Sequence, residues 1–367
     1  STILETFPRD WTGKKVLVKP NILGPYRPEK AITTNPAMVR AVVRQLQKRG
    51  AKVIVGDNPG HVGYGINKSA AEIAGIADSS EGCYKNIGSE SVKTSVKGRE
   101  VQVSRDVMEC DVYVSLPKLK THIFTVMTGA IKNSYGILVG GEKSKLHQLF
   151  WRPEEFAEIV ANVYALRPPD LVIMDAIVAM EGDGPNSPDL RNINCILSSD
   201  NGLALDIAAC DIMGINPKNV PMLTSAHLLG LGPISLDNIE IRGQIPRVNN
   251  FMAPVTYTRL QRVRQVVVSR ILGRGKIKIN YTKCTACQMC VQACPAKAMT
   301  SDKAVNSGKP VVDHSKCILC FCCKEMCQFD AIRLAGVFSA LQKIYNEFGW
   351  RIDEFVKKRS SRERKEK

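Results

Sequence analysis

Nine of the chain's 13 cysteines lie between Cys284 and Cys327, in a spacing that suits one chemistry. Cys284-x2-Cys287-x2-Cys290-x3-Cys294 is followed by Cys317-x2-Cys320-x2-Cys323-x3-Cys327. A shift of 33 positions lays the first run on the second, and brings Lys283 onto Lys316 and Ala298 onto Ala331. That is an internal duplication. A short loop bearing three thiolates can cover three iron corners of a 4Fe–4S cubane, while the fourth Cys of each run reaches the other cluster. The spacing therefore assigns Cys284, Cys287, Cys290 and Cys327 to one cluster, and Cys317, Cys320, Cys323 and Cys294 to a second. Zinc also takes CxxC pairs, but four ligands from two pairs would leave the third step and the x3-Cys of each run without use. Two 4Fe–4S clusters are the expected cofactors. Gln328 stands where Pro295 follows the first run; proline locks φ, so the turn after Cys327 is expected to be looser. Cys322, beside Cys323, reads as a packed spare thiol.

A second group of reactive side chains lies upstream. Val112 to Leu116 reads as a buried strand, followed at once by Pro117-Lys118-Leu119-Lys120-Thr121-His122. Lys132 and Asn133 end a helical segment, and Lys143 and Lys145 fall in a loop read as solvated. Cations at the mouth of a sheet are what a small anionic substrate requires. Asp175 interrupts an apolar strand that runs into Met180-Glu181-Gly182-Asp183-Gly184-Pro185. Carboxylates at a strand end serve as acid, base or cation ligand, and a tight turn whose acids cap local amides explains them equally well. Lys118, Lys120, His122, Lys132, Asn133, Asp175, Glu181 and Asp183 are the candidate catalytic residues.

The elements that must position these groups follow from hydrophobic period and punctuation. Val16 to Lys19 is a strand, Asn35 caps a helix with Pro36 at its first position, Gly50 ends it, and Lys52 to Gly56 is the next strand. This β-α-β unit predicts a parallel sheet. The glycine-rich loop from Asp57 to Gly65 lacks the G-x-G-x-x-G order of a dinucleotide site and reads as a substrate or anion loop at the carboxyl edge. Residues 67–77 suggest a short helix, and 83–106 short strands turning at Lys97-Gly98 on an antiparallel edge. A helix is expected over 153–166, strands over 170–179 and 193–197, a helix over 201–213 containing Asp206, and a last strand at Ile239-Glu240-Ile241. The fold class is α/β, an open and mostly parallel sheet with flanking helices, plus a small α+β module of the bacterial 2[4Fe-4S] ferredoxin type. The expected limits are 1–245 for the α/β body, 246–275 for a basic connector, 276–334 for the cysteine module, and 335–367 for an amphipathic helix and basic tail.

Composition sets outer bounds. The chain of 367 residues has room for two cores, and it contains no apolar run long enough to span a bilayer. Cysteines in cluster spacing indicate a reducing compartment, with the cytoplasm as the default. The formal charge is +16. Much of it is local: Arg259, Arg262, Arg264, Arg270, Arg274, Lys276, Lys278 and Lys283 precede the module, and Lys357 to Lys367 close the chain. Such blocks suit an acidic redox partner. No nucleic-acid-binding fold accompanies them, so nucleic acid is not an expected partner.

Val18-Lys19-Pro20-Asn21, Thr34-Asn35-Pro36, Gly56-Asp57-Asn58-Pro59-Gly60, Pro117 to His122, Gly129-Ala130-Ile131-Lys132-Asn133 and Met180 to Pro185, in this order, resemble the DUF362 family, often joined to a ferredoxin-like domain with two 4Fe–4S clusters. The resemblance runs from Val16 to about residue 334. It implies a further strand before the Lys-Pro-Asn motif, and Ser1 in place of an initiator Met suggests a truncated copy. The expected activity is an iron–sulfur oxidoreductase: Lys118, Lys120, His122, Lys132 and Asn133 hold an anion, and His122, Asp175, Glu181 or Asp183 supplies protons. An electron-transfer subunit without a substrate of its own, and a metabolite-binding or maturation factor, are the other readings.

Overall fold

The computed structural model describes residues 2–59, 66–254, 256–257, 275–302 and 307–335. Strands rich in β-branched and aliphatic residues form the centre. β1 (Lys15–Pro20) pairs in parallel with β2 (Lys52–Val55) and with β5 (Val112–Leu116). The helices between and after them are α1 (Thr2–Thr6), α2 (Pro36–Lys48), α3 (Ile66–Ile73), α4 (Ile76–Ser79) and α5 (Arg105–Glu109). Val16 and Val18 face a core shared with Val39, Val43 and Leu46 of α2. Leu17, between them, faces a second core. Alternate side chains of one strand thus enter two apolar layers, as expected of a sheet covered on both faces. Asn35 accepts a hydrogen bond from the Ala37 amide at 2.9 Å, and Pro36 opens α2 as the sequence predicts.

Between β2 and β5, β3 (Ser91–Val96) and β4 (Arg99–Ser104) form a separate antiparallel ribbon, not an edge of the main sheet. Lys97 and Gly98 at its tip both have positive φ, the geometry of a two-residue turn matched to strand twist. Val96, Val101 and Val103 bury the ribbon against the second core.

The largest departure from expectation lies after β5. The Pro117 to His122 segment is no terminal loop: Lys118–His122 is a strand, β6, which follows β5 after Pro117 and is buried throughout. β8 (Leu171–Met180) pairs in parallel first with β5 and then with β6, and β7 (Val126–Thr128) pairs antiparallel with β6. β9 (Leu190–Ser199) completes the seven-stranded sheet antiparallel to β8. The sheet thus continues beyond the ends of β1 and β2, with polar side chains where an interior would ordinarily be apolar. The remaining helices are α6 (Ala130–Asn133), α7 (Glu142–Leu149), α8 (Pro153–Leu166), α9 (Gly202–Ile212) and α10 (Pro221–Leu228).

The expected strand at Ile239 to Ile241 is not formed. These residues follow a 3-10 turn at Leu236–Asn238, and Ile241 is exposed. Three residues with no neighbouring strand cannot satisfy a ladder. Residues 60–65 of the glycine-rich loop, the helical part expected in the connector, and the amphipathic helix and tail lie outside the described residues. Among the described residues no helix is long and apolar enough to cross a membrane.

Asp206 settles how the Lys132 segment is held. From the interior of α9 its carboxylate accepts the Ala130 amide at 2.7 Å and the Ile131 amide at 3.1 Å, so it caps α6 across space. A Cβ on Gly129 would lie 2.1 Å from Asp206 Oδ1, so this close approach requires glycine. Burial pushes the Asp206 carboxyl up, to about 7, against those two amides. Asp206→Ala would leave both amides buried and unpaired, at about 1–3 kcal/mol each. We expect chemical denaturation to read a loss of about 2–5 kcal/mol.

Candidate functional site

The cysteine module repeats its backbone as well as its sequence. Ala286, Gln288 and Lys297 have φ of 58°, 65° and 51°, and Leu319, Phe321 and Asp330, each 33 residues on, have 56°, 62° and 47°. A non-glycine residue costs about 1–2 kcal/mol in this region, and here six are kept in matching pairs. The Ala298 amide donates to Cys294 Sγ at 3.2 Å, and the Ala331 amide to Cys327 Sγ at 3.3 Å. The short helices Met289–Gln292 and Cys322–Glu325 carry the third ligand of each run.

Burial and neighbouring thiols together set the surroundings of the cysteines. Burial pushes the Cys290 thiol up, to about 12, and Cys287, Cys327 and Cys284 push the same way. Burial also raises Cys323, followed by Cys320, Cys317, Cys290 and Cys294. Cys294, Cys317, Cys320 and Cys323 line a single small pocket, together with Ile277, Ala298, Met299 and Val312. Among the described residues no three His, Cys, Asp or Glu groups converge where one ion could sit. A cubane instead takes its cysteines one to each iron, so the residues fit two cubanes. Cys294→Ala and Cys317→Ala should therefore erase the same signal in the reduced-state EPR spectrum and spare the signal that Cys284→Ala erases. Loss of the Cys284-dependent signal in Cys294→Ala would refute the crossing.

The second cluster of side chains is built at the carboxyl ends of β1 and β2 and along β6. Lys19 is paired with Asp57 at 2.7 Å and also donates to Asn133 Oδ1 at 3.1 Å. Asn133 in turn donates to Ser115 Oγ at 3.0 Å, so it positions Lys19. Lys118 is paired with Asp175 at 2.8 Å, and the same carboxylate accepts the Asn35 amide at 2.8 Å. Both ion pairs are buried. Lys120 has no such partner: its ammonium donates to Asn21 Oδ1 at 2.7 Å and to the Ile32 carbonyl at 2.6 Å. Burial, reinforced by Lys132, pulls it down to about 7.

Lys132 retains some accessible surface, yet desolvation is the largest influence on its ammonium and lowers its pKa. That ammonium lies 5.0 Å and 5.8 Å from the ring centroids of Tyr135 and Phe156. Lys143, expected to be solvated, is buried; it donates to the carbonyls of Asn58 and Pro59, and burial pulls it down to about 7. Its helix places it under the loop that leaves β2. Lys145 is exposed, as expected.

The two sets of residues meet. His122 Nε2 lies 3.3 Å from Glu325 Oε1, on the short helix that carries Cys323. His122 Nδ1 accepts from the amides of Phe124 and Thr125 at 3.1 and 3.3 Å. That assigns the ring proton to Nε2, facing Glu325. Tyr26 donates to the Glu325 carbonyl at 2.5 Å, Asn186 donates to the Cys327 carbonyl at 2.6 Å, and Lys324 donates to the Asn186 carbonyl at 2.9 Å. The exit from Cys327, where Gln328 replaces proline, is therefore held by the α/β body.

The sequence pattern of the Domain of unknown function (DUF362) matches residues 16–211, more than half of the chain. The chain belongs to the DUF362 family. A 4Fe-4S dicluster domain matches residues 265–331, which marks this as an iron–sulfur protein. A thylakoid-associated protein of Synechocystis is 31% identical over 230 residues, covering 61% of this chain and 71% of its own. Among solved structures, the lactate racemase apoprotein of Thermoanaerobacterium thermosaccharolyticum aligns with a TM-score of 0.40 and 12% identity, over 56% of this chain and 50% of that one. A Thermotoga maritima protein aligns with a TM-score of 0.35 and 13% identity, over 55% and 54%. This chain spans about half the length of these two structures.

Within the DUF362 body, Lys118, Lys120, His122, Lys132, Asn133 and Asp175 come together. Glu181 does not join them: it is held by Arg191 at 2.9 Å and by the Met252 amide at 3.0 Å. Asp183 is partly exposed in the turn between Gly182 and Gly184. That turn packs on β6, where the Ile123 amide donates to the Gly184 carbonyl at 2.8 Å. Sequence reasoning missed Glu325, Lys143, Tyr26 and Asn186. An acid within a cysteine run was the available signal for Glu325; the other three become visible only through contacts distant in sequence.

Proposed function

We propose that this DUF362 protein is an iron–sulfur oxidoreductase that exchanges electrons with a small anionic substrate held over β6. The observation that carries the reading is the His122–Glu325 contact, which seats the cysteine-bearing helix against the buried lysines. Bound 4Fe–4S clusters supply single electrons across a wide range of potentials. The chain's own residues do the rest. Lys120 and Lys132 attract the anion, and desolvation strengthens that attraction relative to water. Lys120, poised near neutrality, gives or takes the proton at Nζ. His122 is the weaker candidate for that proton, because its Nδ1 already accepts two amides and so cannot carry a second proton. Asp175, locked to Lys118, positions β6 against β8.

The test is an anaerobic screen of anionic metabolites against the reduced protein, read as recovery of the visible iron–thiolate absorbance. An acceptor that reoxidises the wild type, and fails with Lys120→Met at equal iron content, supports the reading. If no anion reoxidises the protein while a partner protein does, the chain is a relay without a substrate of its own.

A further inference from the structure

Six lysines, Lys19, Lys118, Lys120, Lys132, Lys143 and Lys324, gather around three carboxylates, Asp57, Asp175 and Glu325, so three of them have no carboxylate to themselves. The pairing is uneven. Asp57 and Asp175 are each within 2.8 Å of one lysine, and Glu325 faces His122. Lys120 and Lys143 meet neutral oxygens, and Lys132 meets the faces of two rings. An ammonium has three donor hydrogens. Two donated bonds leave one on Lys120, and among the described residues Lys132 donates none.

A second observation points to the same place. The hydroxyls of Thr33 and Thr128 are buried with no hydrogen-bond partner. Thr128 is the registered partner of Lys120 across β6 and β7, and Thr33 is the next residue in the chain after Ile32, whose carbonyl accepts from Lys120. Directly opposed residues in an antiparallel pair share a face. A buried hydroxyl without a partner costs about 1–3 kcal/mol, and an oxyanion accepting the remaining Lys120 hydrogen would supply the missing acceptor.

We propose that Lys120 and Lys132, with the hydroxyls of Thr33 and Thr128, bind a doubly charged oxyanion, either the phosphate of a phosphomonoester or a dicarboxylate. This deepens the preceding reading by naming the charge and class of the substrate. A single carboxylate matches one of Lys120 and Lys132, whereas a dianion matches both.

The experiment is titration calorimetry on the reconstituted, oxidised holoprotein with inorganic phosphate, succinate and acetate, beside thermal-shift measurements. Phosphate or succinate should bind at least about tenfold more tightly than acetate, and the tighter of the two names the source. Lys132→Met should weaken dianion binding by about 10- to 100-fold, and Thr128→Val, which keeps the shape of the side chain, by about 5- to 20-fold. Acetate binding equal to the dianions, no binding of any of the three, or unchanged affinity in both variants overturns the proposal. If dianions bind but no anionic metabolite of the anaerobic screen reoxidises the reduced protein, the redox reading falls and the anion site stands. If an anion reoxidises the protein with equal efficiency in both variants, the reverse holds.

Discussion

Lys120→Met should lower anion-driven reoxidation by about two to three orders of magnitude while leaving the iron content unchanged. Removal of one preorganised charged donor from a desolvated site has effects of that size. The cysteines lie in a separate part of the chain, and no side chain of the module hydrogen-bonds to Lys120. The melting temperature should not fall with the activity. Burial pulls Lys120 from 10.5 to about 7, so its charged form costs the fold several kcal/mol at about 1.4 kcal/mol per unit. The two acceptors left behind, Asn21 Oδ1 and the Ile32 carbonyl, cost about 1–3 kcal/mol each. A folded, fully loaded and inactive variant is therefore the expected outcome. Lys120→Arg separates the two roles of the ammonium, because guanidinium keeps the charge but does not release a proton near neutrality. It should bind the anion with little change in KM and lose kcat. Normal turnover by Lys120→Met would move the chemistry away from β6.

Much of this arrangement was legible from residue types, and the remainder depended on contacts that a linear reading does not carry. The duplicated cysteine runs follow from spacing, and the crossed ligation remains the expectation that the Cys294 and Cys317 variants test. Helix α2 announced itself through Asn35, Pro36 and Gly50. The Lys118 to His122 segment was not legible as a strand for a physical reason: its polar side chains do not look like an interior, whereas here each finds a partner delivered by another element. Asp175 comes from β8, Asn21 and Ile32 from the chain after β1, and Glu325 from the cysteine module. Lys143 was misread in the same way, since nothing local shows that Asn58 and Pro59 lie above it. The hidden signal was a pattern that violates burial preference, because lysine is rarely buried unless paired. Such violations tend to mark function.

Anion affinity and fold stability should respond to pH in opposite directions. Burial brings Lys120 and Lys143 down to about 7. Lys132 and Lys118 lower Lys120 further, against Glu325 and Asp57; Asp57 raises Lys143, against Lys19 and Lys132. Below about pH 7 both side chains are ammonium ions, and the site is at its most attractive to an oxyanion. As pH rises through 7 they lose their protons, and affinity should fall by up to about tenfold per pH unit for each lysine that must be charged. Stability runs the other way. The unfolded chain keeps these lysines protonated to about 10.4, so between about pH 7 and 10 it binds more protons than the fold, and the unfolding free energy rises with pH. Succinate is the suitable probe, because both its carboxylates stay ionised across this range and the slope belongs to the protein. Calorimetric affinities between about pH 6 and 9, compared with melts in the same buffers, test both halves at once. A flat affinity profile would mean that Lys120 does not meet the anion, and Lys120→Met should remove the part of the slope that Lys120 carries.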